Sequence, residues 1–199
     1  MYRYLRPISL IAVLLLVFSG VSPLSASADS RAAQRGYLIG VPPFTAGPDI
    51  ARAANGDTIE LTGSGTFTPG KRRATGFGIF VHKNAAGITL AEGSWTATRL
   101  LRFRSFGSGS QQGEPQEFEG GLALIRVRLS PFIGAESGED AVLLIDCLLG
   151  SPPAGEEEGV QLRVSGGPEF TKQVSGENLF IKLERSREDR AEEPDDSND

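Results

Sequence analysis

His82 and Trp95 are the single histidine and the single tryptophan of this 199-residue chain, and both fall in one stretch, GFGIFVHKNAAGITLAEGSWTATRLLRFRSFG, residues 76–107. A lone histidine works as a general base only where the fold brings a nucleophile or an acid beside it. No motif in the chain points to such a partner. His82 is therefore read as a solvated or locally hydrogen-bonded side chain and Trp95 as a core residue, with both kept as candidate ligand contacts.

A second pattern is carried by arginine. In Leu101-Arg102-Phe103-Arg104 and in Ile125-Arg126-Val127-Arg128-Leu129 the apolar and basic residues alternate, so each segment reads as a strand with one apolar and one guanidinium face. If the two strands are neighbours, Arg102, Arg104, Arg126 and Arg128 form a ladder of like charges, which is unfavourable when they lie directly opposite one another. Either carboxylates such as Glu117, Glu119 or Asp146 intersperse with them, or the face binds an anion such as an acidic glycan or cell-wall polymer.

Cys147 shares a strand parity with Leu143, Ile145 and Leu149, which reads as a buried small hydrophobe. Asp146 takes the other face with Val142, Leu144 and Leu148, where a buried carboxylate needs a partner, an arginine being plausible. One histidine and one cysteine cannot assemble the usual nitrogen and sulfur metal sites. GAESGED lacks the ligand spacing of a calcium loop and reads as a polar turn. TGSGTF, FGSGS and VSGGP lack the lysine and helix of a phosphate-cradling loop and read as turn or bulge glycines. There is no G-x-S-x-G elbow. Paired-carboxylate chemistry has only unsupported candidates, Glu60, Glu92 and Asp146. No cofactor is expected.

The elements that must position these residues are strands. From residue 57 onward, short apolar or alternating runs are separated by glycine, proline and polar clusters, and helical periodicity is almost absent. Candidate strands span 58–67, 76–82, 88–106, 121–130, 141–149, 160–164, 169–174 and 179–183. About eight antiparallel strands with short connections predict a single-domain all-β fold, a β-barrel or barrel-like sandwich. The one weak helical candidate is a turn at 48–54 begun by Asp49. The turn-like cluster at 83–87 predicts a hairpin in which Val81 opposes Thr89, Ile79 opposes Ala91 and Phe77 opposes Gly93. One face then carries Phe77, Ile79, Val81, Ala91 and Trp95 into the core, and His82 lies on the other.

Arg3 and Arg6, an apolar run over residues 8–21 and Ala26-Ser27-Ala28 compose a secretory signal peptide, residues 1–28, too short in its apolar part for a comfortable membrane span. An uncleaved anchor is the alternative. Residues 29–56 form an N-terminal extended segment, 57–183 the β domain and 184–199 an acidic tail too poor in apolar residues to order itself. Localisation is secreted, extracellular or cell envelope, with no transmembrane segment after cleavage. The chain carries a net charge of −5. Without leader and tail the body is close to neutral, which gives no case for nucleic acid or an anionic membrane.

The runs TGFGIFVHKNAAG, GSWTATRLLRFRSFG, CLLGSPPAGEEEGVQL and FTKQVSGENLFI resemble a family of small uncharacterised bacterial and archaeal proteins. Its members share a glycine-rich hairpin ending in histidine, a W-x-A-x-x-L-L strand and a cysteine strand leading into a P-P-A-G loop. The similarity covers residues 57–183, and Phe77-Gly78 stands where the family tends to a Gly-Gly run. The resemblance implies no activity. The leading functional expectation is a secreted non-catalytic binding or structural module of unknown ligand, its interior lined by Phe77, Ile79, Trp95, Leu101 and Phe103 and packed solid by default, or else holding a small apolar ligand. The alternatives are a small barrel isomerase or cyclase acting on a hydrophobic substrate, with His82 or Asp146 as acid or base at the barrel mouth, and a surface protein whose arginines bind an anionic cell-surface polymer.

Overall fold

The structure, a computed structural model, describes residues 33–42, 44–133 and 138–183. The expected signal peptide at 1–28, the acidic tail at 184–199 and most of the polar turn at 134–140 lie outside the described residues. Ten strands make up the described chain: β1 Gln34–Ile39, β2 Asp49–Ala53, β3 Thr58–Thr68, β4 Arg73–Lys83, β5 Thr89–Ser108, β6 Phe118–Pro131, β7 Glu139–Cys147, β8 Gly159–Val164, β9 Glu169–Ser175 and β10 Asn178–Leu183. A short 3-10 turn, Gly109–Gln112, follows β5. The expected helical turn at 48–54 is instead strand β2. Asp49, Ala51 and Ala53 are buried while the residues between them are not, a period of two that only a strand gives.

Every ladder is antiparallel. The sheet returns on itself because two strands share one edge between two partners. β3 pairs with β4 along one side, while its other side takes β2 at residues 58–61 and β1 at residues 63–67. β6 pairs with β5 on one side and takes β10 at Phe118 and Glu119, then β7 at residues 121–129, on the other. The pairings therefore run through β3, β4, β5, β6, β7, β8, β9 and β2, with the β1–β10 ladder joining β3 to β6. This is a barrel-like sandwich of one domain.

The β4–β5 hairpin turns more tightly than its loop composition suggests. Asn84 and Ile88 close the loop (Asn84 N to Ile88 O, 2.9 Å), Asn84 Oδ1 accepts from the amides of Ala86 and Ile88, and Gly87 adopts φ +80°. One extra residue in β5 then shifts the register between Lys83↔Thr89 and His82↔Ala91. A one-residue bulge reverses which faces align. Trp95 consequently opposes Gly78, not the Phe77–Ile79 face, and Phe80 opposes Gly93. Trp95 and Phe80 are buried, whereas Phe77 is 71% exposed and Ile79 43% exposed. The expected inward face of Phe77, Ile79 and Val81 is thus the outer face, and His82 shares the side of Trp95 and not the opposite one.

The inward face of β3 and β4 is mostly glycine where the large aromatics lie. Gly63 opposes Gly78 and Gly65 opposes Gly76. A Cβ on Gly63 or Gly78 would run into the Trp95 indole, and one on Gly65 or Gly76 into the Tyr37 hydroxyl. The indole Nε1 donates to Thr62 O at 3.0 Å and the Tyr37 hydroxyl to Thr75 O at 3.0 Å. The glycines of TGSGTF are therefore neither turn nor bulge residues. They form a flat seat for two aromatic rings, each burying about 150–250 Å², roughly 4–6 kcal/mol of transfer free energy apiece.

Phe67, Phe103 and Phe180 pack on one another beyond Tyr37, with Phe67 and Phe103 centroids 4.8 Å apart. Arg35, on β1, reaches over Phe103 and pairs through Nε with Glu119 Oε2 at 2.9 Å, both side chains being buried. Along β5 three further register shifts bend the strand. They bury Leu100 where the alternation predicts Leu101, which is only half-buried.

The inverted hairpin gives an expectation opposite to simple hydrophobicity. Gly78→Ala lowers unfolding free energy by roughly 1–3 kcal/mol or more through overpacking, and Phe77→Ser changes it by less than about 0.5 kcal/mol. Urea midpoints read by Trp95 fluorescence check both. The reverse order of the two effects would restore the face predicted from the loop.

Candidate functional site

The outer face of β5, β6, β7 and β8 is built by alternation and is basic. Arg126 and Arg128 project from β6, Arg99, Arg102 and Arg104 from β5, and Arg163 from β8, all exposed. They do not form the predicted ladder of directly opposed guanidiniums. The bulges between Ala97 and Arg99 and between Leu100 and Arg102 stagger β5, so Arg102 opposes Leu124 and Arg104 opposes Leu122, while Arg128 opposes Thr96. The directly opposed like pair is Arg99 with Arg126, and Arg163 lies beyond Val142 in the same row.

Two of the six arginines have a carboxylate directly across the ladder, Arg128 opposite Asp140 and Arg163 opposite Glu169. Among the described residues Arg128 alone of the six is ion-paired, to Asp140 at 3.5 Å. Glu119, expected to intersperse, is buried with Arg35 and also accepts from Ser105 Oγ at 2.5 Å. Asp146 opposes Leu122 and so has the parity of the arginines, yet it is buried beside the Glu156 carboxyl, its Oδ1 without a hydrogen-bond partner among the described residues. An arginine partner for Asp146 is not what the fold provides.

Three further cations, which the alternation gave no reason to single out, gather with Arg99 at the β3–β4 turn. Lys71, Arg72 and Arg73 from the turn and Arg99 from β5 line a surface depression of about 620 Å³ together with Gly70 and Thr98. The Lys-Arg-Arg run after Pro69-Gly70 was visible in the sequence. What joins it to Arg99 is the β5 bulge, which no periodicity displays.

His82 sits at the strand end, its Nε2 3.3 Å from Asp57 Oδ2 and its ring edge-on to Phe170 at 5.2 Å. Trp95 is fully buried on its glycine seat. Neither borders the arginine face. Cys147 is buried and free, and burial pushes its thiol up to about 12, which suits a small hydrophobe and not a nucleophile. The interior is occupied by Tyr37, Phe67, Phe80, Trp95, Phe170, Phe180 and aliphatic side chains in one continuous core.

Acids collect elsewhere. Asp49 opens β2 with no exposure, its Oδ1 accepting from Glu177 N at 3.2 Å and its Oδ2 without a hydrogen-bond partner among the described residues. Gly176 lies against that carboxyl so closely that a side chain there would collide with it. Glu158 accepts from Asn178 N at 3.0 Å and Leu148 N at 3.2 Å, and Asn178 Nδ2 donates to Asp146 O at 3.0 Å and Gly159 O at 2.8 Å. These bonds fasten β10 to β7 and to the start of β8. Burial pushes the Asp49 carboxyl up to about 7, and burial followed by the neighbouring Glu156 and Glu158 raises Asp146. Burial raises Glu158 as well. Among the described residues no three His, Cys, Asp or Glu side chains are placed to hold a metal ion.

Comparison with protein-family models, with curated proteins and with solved structures returns no match. The geometry alone carries the functional reading.

The raised carboxyls make stability fall with rising pH. Their folded-state pKa values exceed the ordinary value, 3.8 for aspartate, so the folded state binds protons more tightly than the unfolded one. That contribution is fully present below about pH 4 and is lost as pH rises through about 7. Thermal unfolding between pH 5 and 8 is expected to show a declining midpoint, flattened by Asp49→Asn and Asp146→Asn. A midpoint that climbs over this range, with both variants parallel to the parent, would contradict the assignment.

Proposed function

We propose that this chain is an exported binding module without catalytic chemistry of its own, and that the outer face of β5, β6 and β8 takes an anionic polymer of the cell surface. The observation that carries the reading is the set of exposed arginines on one sheet face, Arg99, Arg102, Arg104, Arg126 and Arg163, for which no ion pair occurs among the described residues. Like charges held this close repel one another. A fold that turns Glu119 and Asp146 inward leaves that repulsion to be relieved from outside.

Guanidinium suits the role. It is charged at every physiological pH and presents planar donors to carboxylate, sulfate and phosphate oxygens. Residues two apart on a strand are about 6.7 Å apart and adjacent strands about 4.8 Å, so the face offers a two-dimensional set of cationic positions to a repeating anion. Export, inferred from the N-terminal segment, favours a polymer outside the cell over nucleic acid.

The apolar-container and enzyme readings have less support. Aromatic and aliphatic side chains occupy the interior. An acid–base enzyme needs His82 or Asp146 facing an apolar cavity, whereas His82 is paired with Asp57 and Asp146 is buried in the β7–β8 region beside Glu156.

The mature chain is expected to be retained on an immobilised acidic polysaccharide and to elute with salt. Replacing Arg102, Arg104, Arg126 and Arg128 by Ser lowers the magnitude of the slope of log affinity against log salt by about 3, most of one unit for each lost contact. Retention that ignores all four substitutions removes this face as the binding surface.

A further inference from the structure

The depression at the β3–β4 turn adjoins the arginine face through Arg99 and, like most of that face, carries cations unpaired among the described residues. It is a shallow, open depression of about 620 Å³. Its charged lining consists of Lys71, Arg72, Arg73 and Arg99, with no carboxylate among its lining residues. None of the four cations belongs to an ion pair among the described residues. It also stores strain: Arg72 has φ +48°, the one non-glycine residue with positive φ among those described. Arg72 N is tied back to Pro69 O at 3.2 Å, which closes the turn. A left-handed arginine is unfavourable where glycine would be at ease, and here it holds a cation at the rim of the depression.

Four cations around one depression match a group with three terminal oxygens, singly charged in a sulfate ester and close to doubly charged in a phosphate monoester, better than a carboxylate, whose two oxygens a single guanidinium can satisfy. A second recess, of about 140 Å³, shares Arg73 and is lined also by Gln34, Thr66, Phe67, Thr68 and Thr75. In it Gln34 Nε2 donates to Thr66 Oγ1 at 2.9 Å, and the Thr66 and Thr75 hydroxyls lie 3.0 Å apart. Amides and hydroxyls beside a cationic depression are the groups that hydrogen-bond sugar hydroxyls.

We infer that Lys71, Arg72, Arg73 and Arg99 form a subsite for a tetrahedral oxyanion ester, sulfate or phosphate, on a sugar unit of the polymer, with Gln34, Thr66 and Thr75 beside the sugar. The inference rests on the polymer-binding reading of the adjoining arginine face and deepens it. It names the class of ligand as an esterified acidic glycan and separates it from a purely carboxylated one.

The test compares the full chain binding dextran sulfate and polygalacturonate of matched length and charge density, at fixed salt. Dextran phosphate serves as a third arm to distinguish the two esters. The expected result is at least about tenfold tighter binding of one or both esters than of polygalacturonate. In Lys71→Ser/Arg72→Ser/Arg73→Ser that preference disappears while polygalacturonate affinity changes by no more than about threefold. Arg72→Gly, which suits the left-handed turn and so keeps the fold, is expected to lose part of the preference with no fall in thermal midpoint. Equal affinity for esters and carboxylates in the parent, or a preference that survives the triple substitution, overturns the subsite and leaves the arginine face standing. Binding to none of the polymers removes the face and the subsite together.

Discussion

The contact on which the rest of the structure depends is the seating of Trp95 and Tyr37 on four cross-strand glycines. Close packing leaves no space for a Cβ at Gly63, Gly65, Gly76 or Gly78, and each ring satisfies its polar atom on a backbone carbonyl of the same hairpin. The large rings are contributed by β5 and β1, and the vacancy that receives them by β3 and β4. This complementarity fixes the side of the sheet that is inward. Once Gly76 and Gly78 face in, Phe77 and Ile79 must face out, because neighbouring residues on a strand point to opposite sides. The apolar composition of β4 is then overruled by shape, since a ring opposite a glycine pair buries more surface than two apolar side chains opposing a tryptophan that has no room.

From that seat outward, β5 sets the surface. Its 20 residues run from the turn to the far end of the molecule, and the ladders on either side remain closed only because the strand is bulged at four places. Each bulge inserts one residue and exchanges inside for outside. The exchange beyond Lys83 brings Trp95 over Gly78. The exchange at Thr98 exposes both Thr98 and Arg99, and the one at Leu101 buries Leu100 while keeping Arg102 and Arg104 outside. Core and cationic surface are two consequences of the same irregularities.

The strands from Thr58 onward were legible because their apolar residues alternate, and the arginines at 102, 104, 126 and 128 were legible for the same reason. β2 was hidden because its inward residues are Asp49, Ala51 and Ala53, which carry little hydrophobic signal and begin with a residue that also starts helices. The hairpin face was misjudged because periodicity assumes an unbroken strand. A single inserted residue reverses the outcome without changing composition. Arg99 was overlooked on that account, and Lys71, Arg72 and Arg73 because cations in a turn ordinarily serve solvation. Asp49, Glu158 and Asn178 carried no signal at all, since they converge from three segments far apart in sequence.

Net charge concealed the division that matters most. A body close to neutrality can be a mosaic of balanced pairs or two separated populations, and composition does not distinguish them. Here the acids that could have balanced the arginines are drawn into the fold: Glu119 to Arg35, Asp146 to Glu156, Asp49 and Glu158 to the backbone amides at the start of β10. Burying them is costly, as the upward shifts of Asp49, Asp146 and Glu158 indicate, and the cost is tolerable because each accepts a hydrogen bond or retains a proton. The arginines remain outside with few partners. Their repulsion across so small a surface is a standing electrostatic field, and Lys71, Arg72 and Arg73 extend it where they line a shallow depression with Arg99.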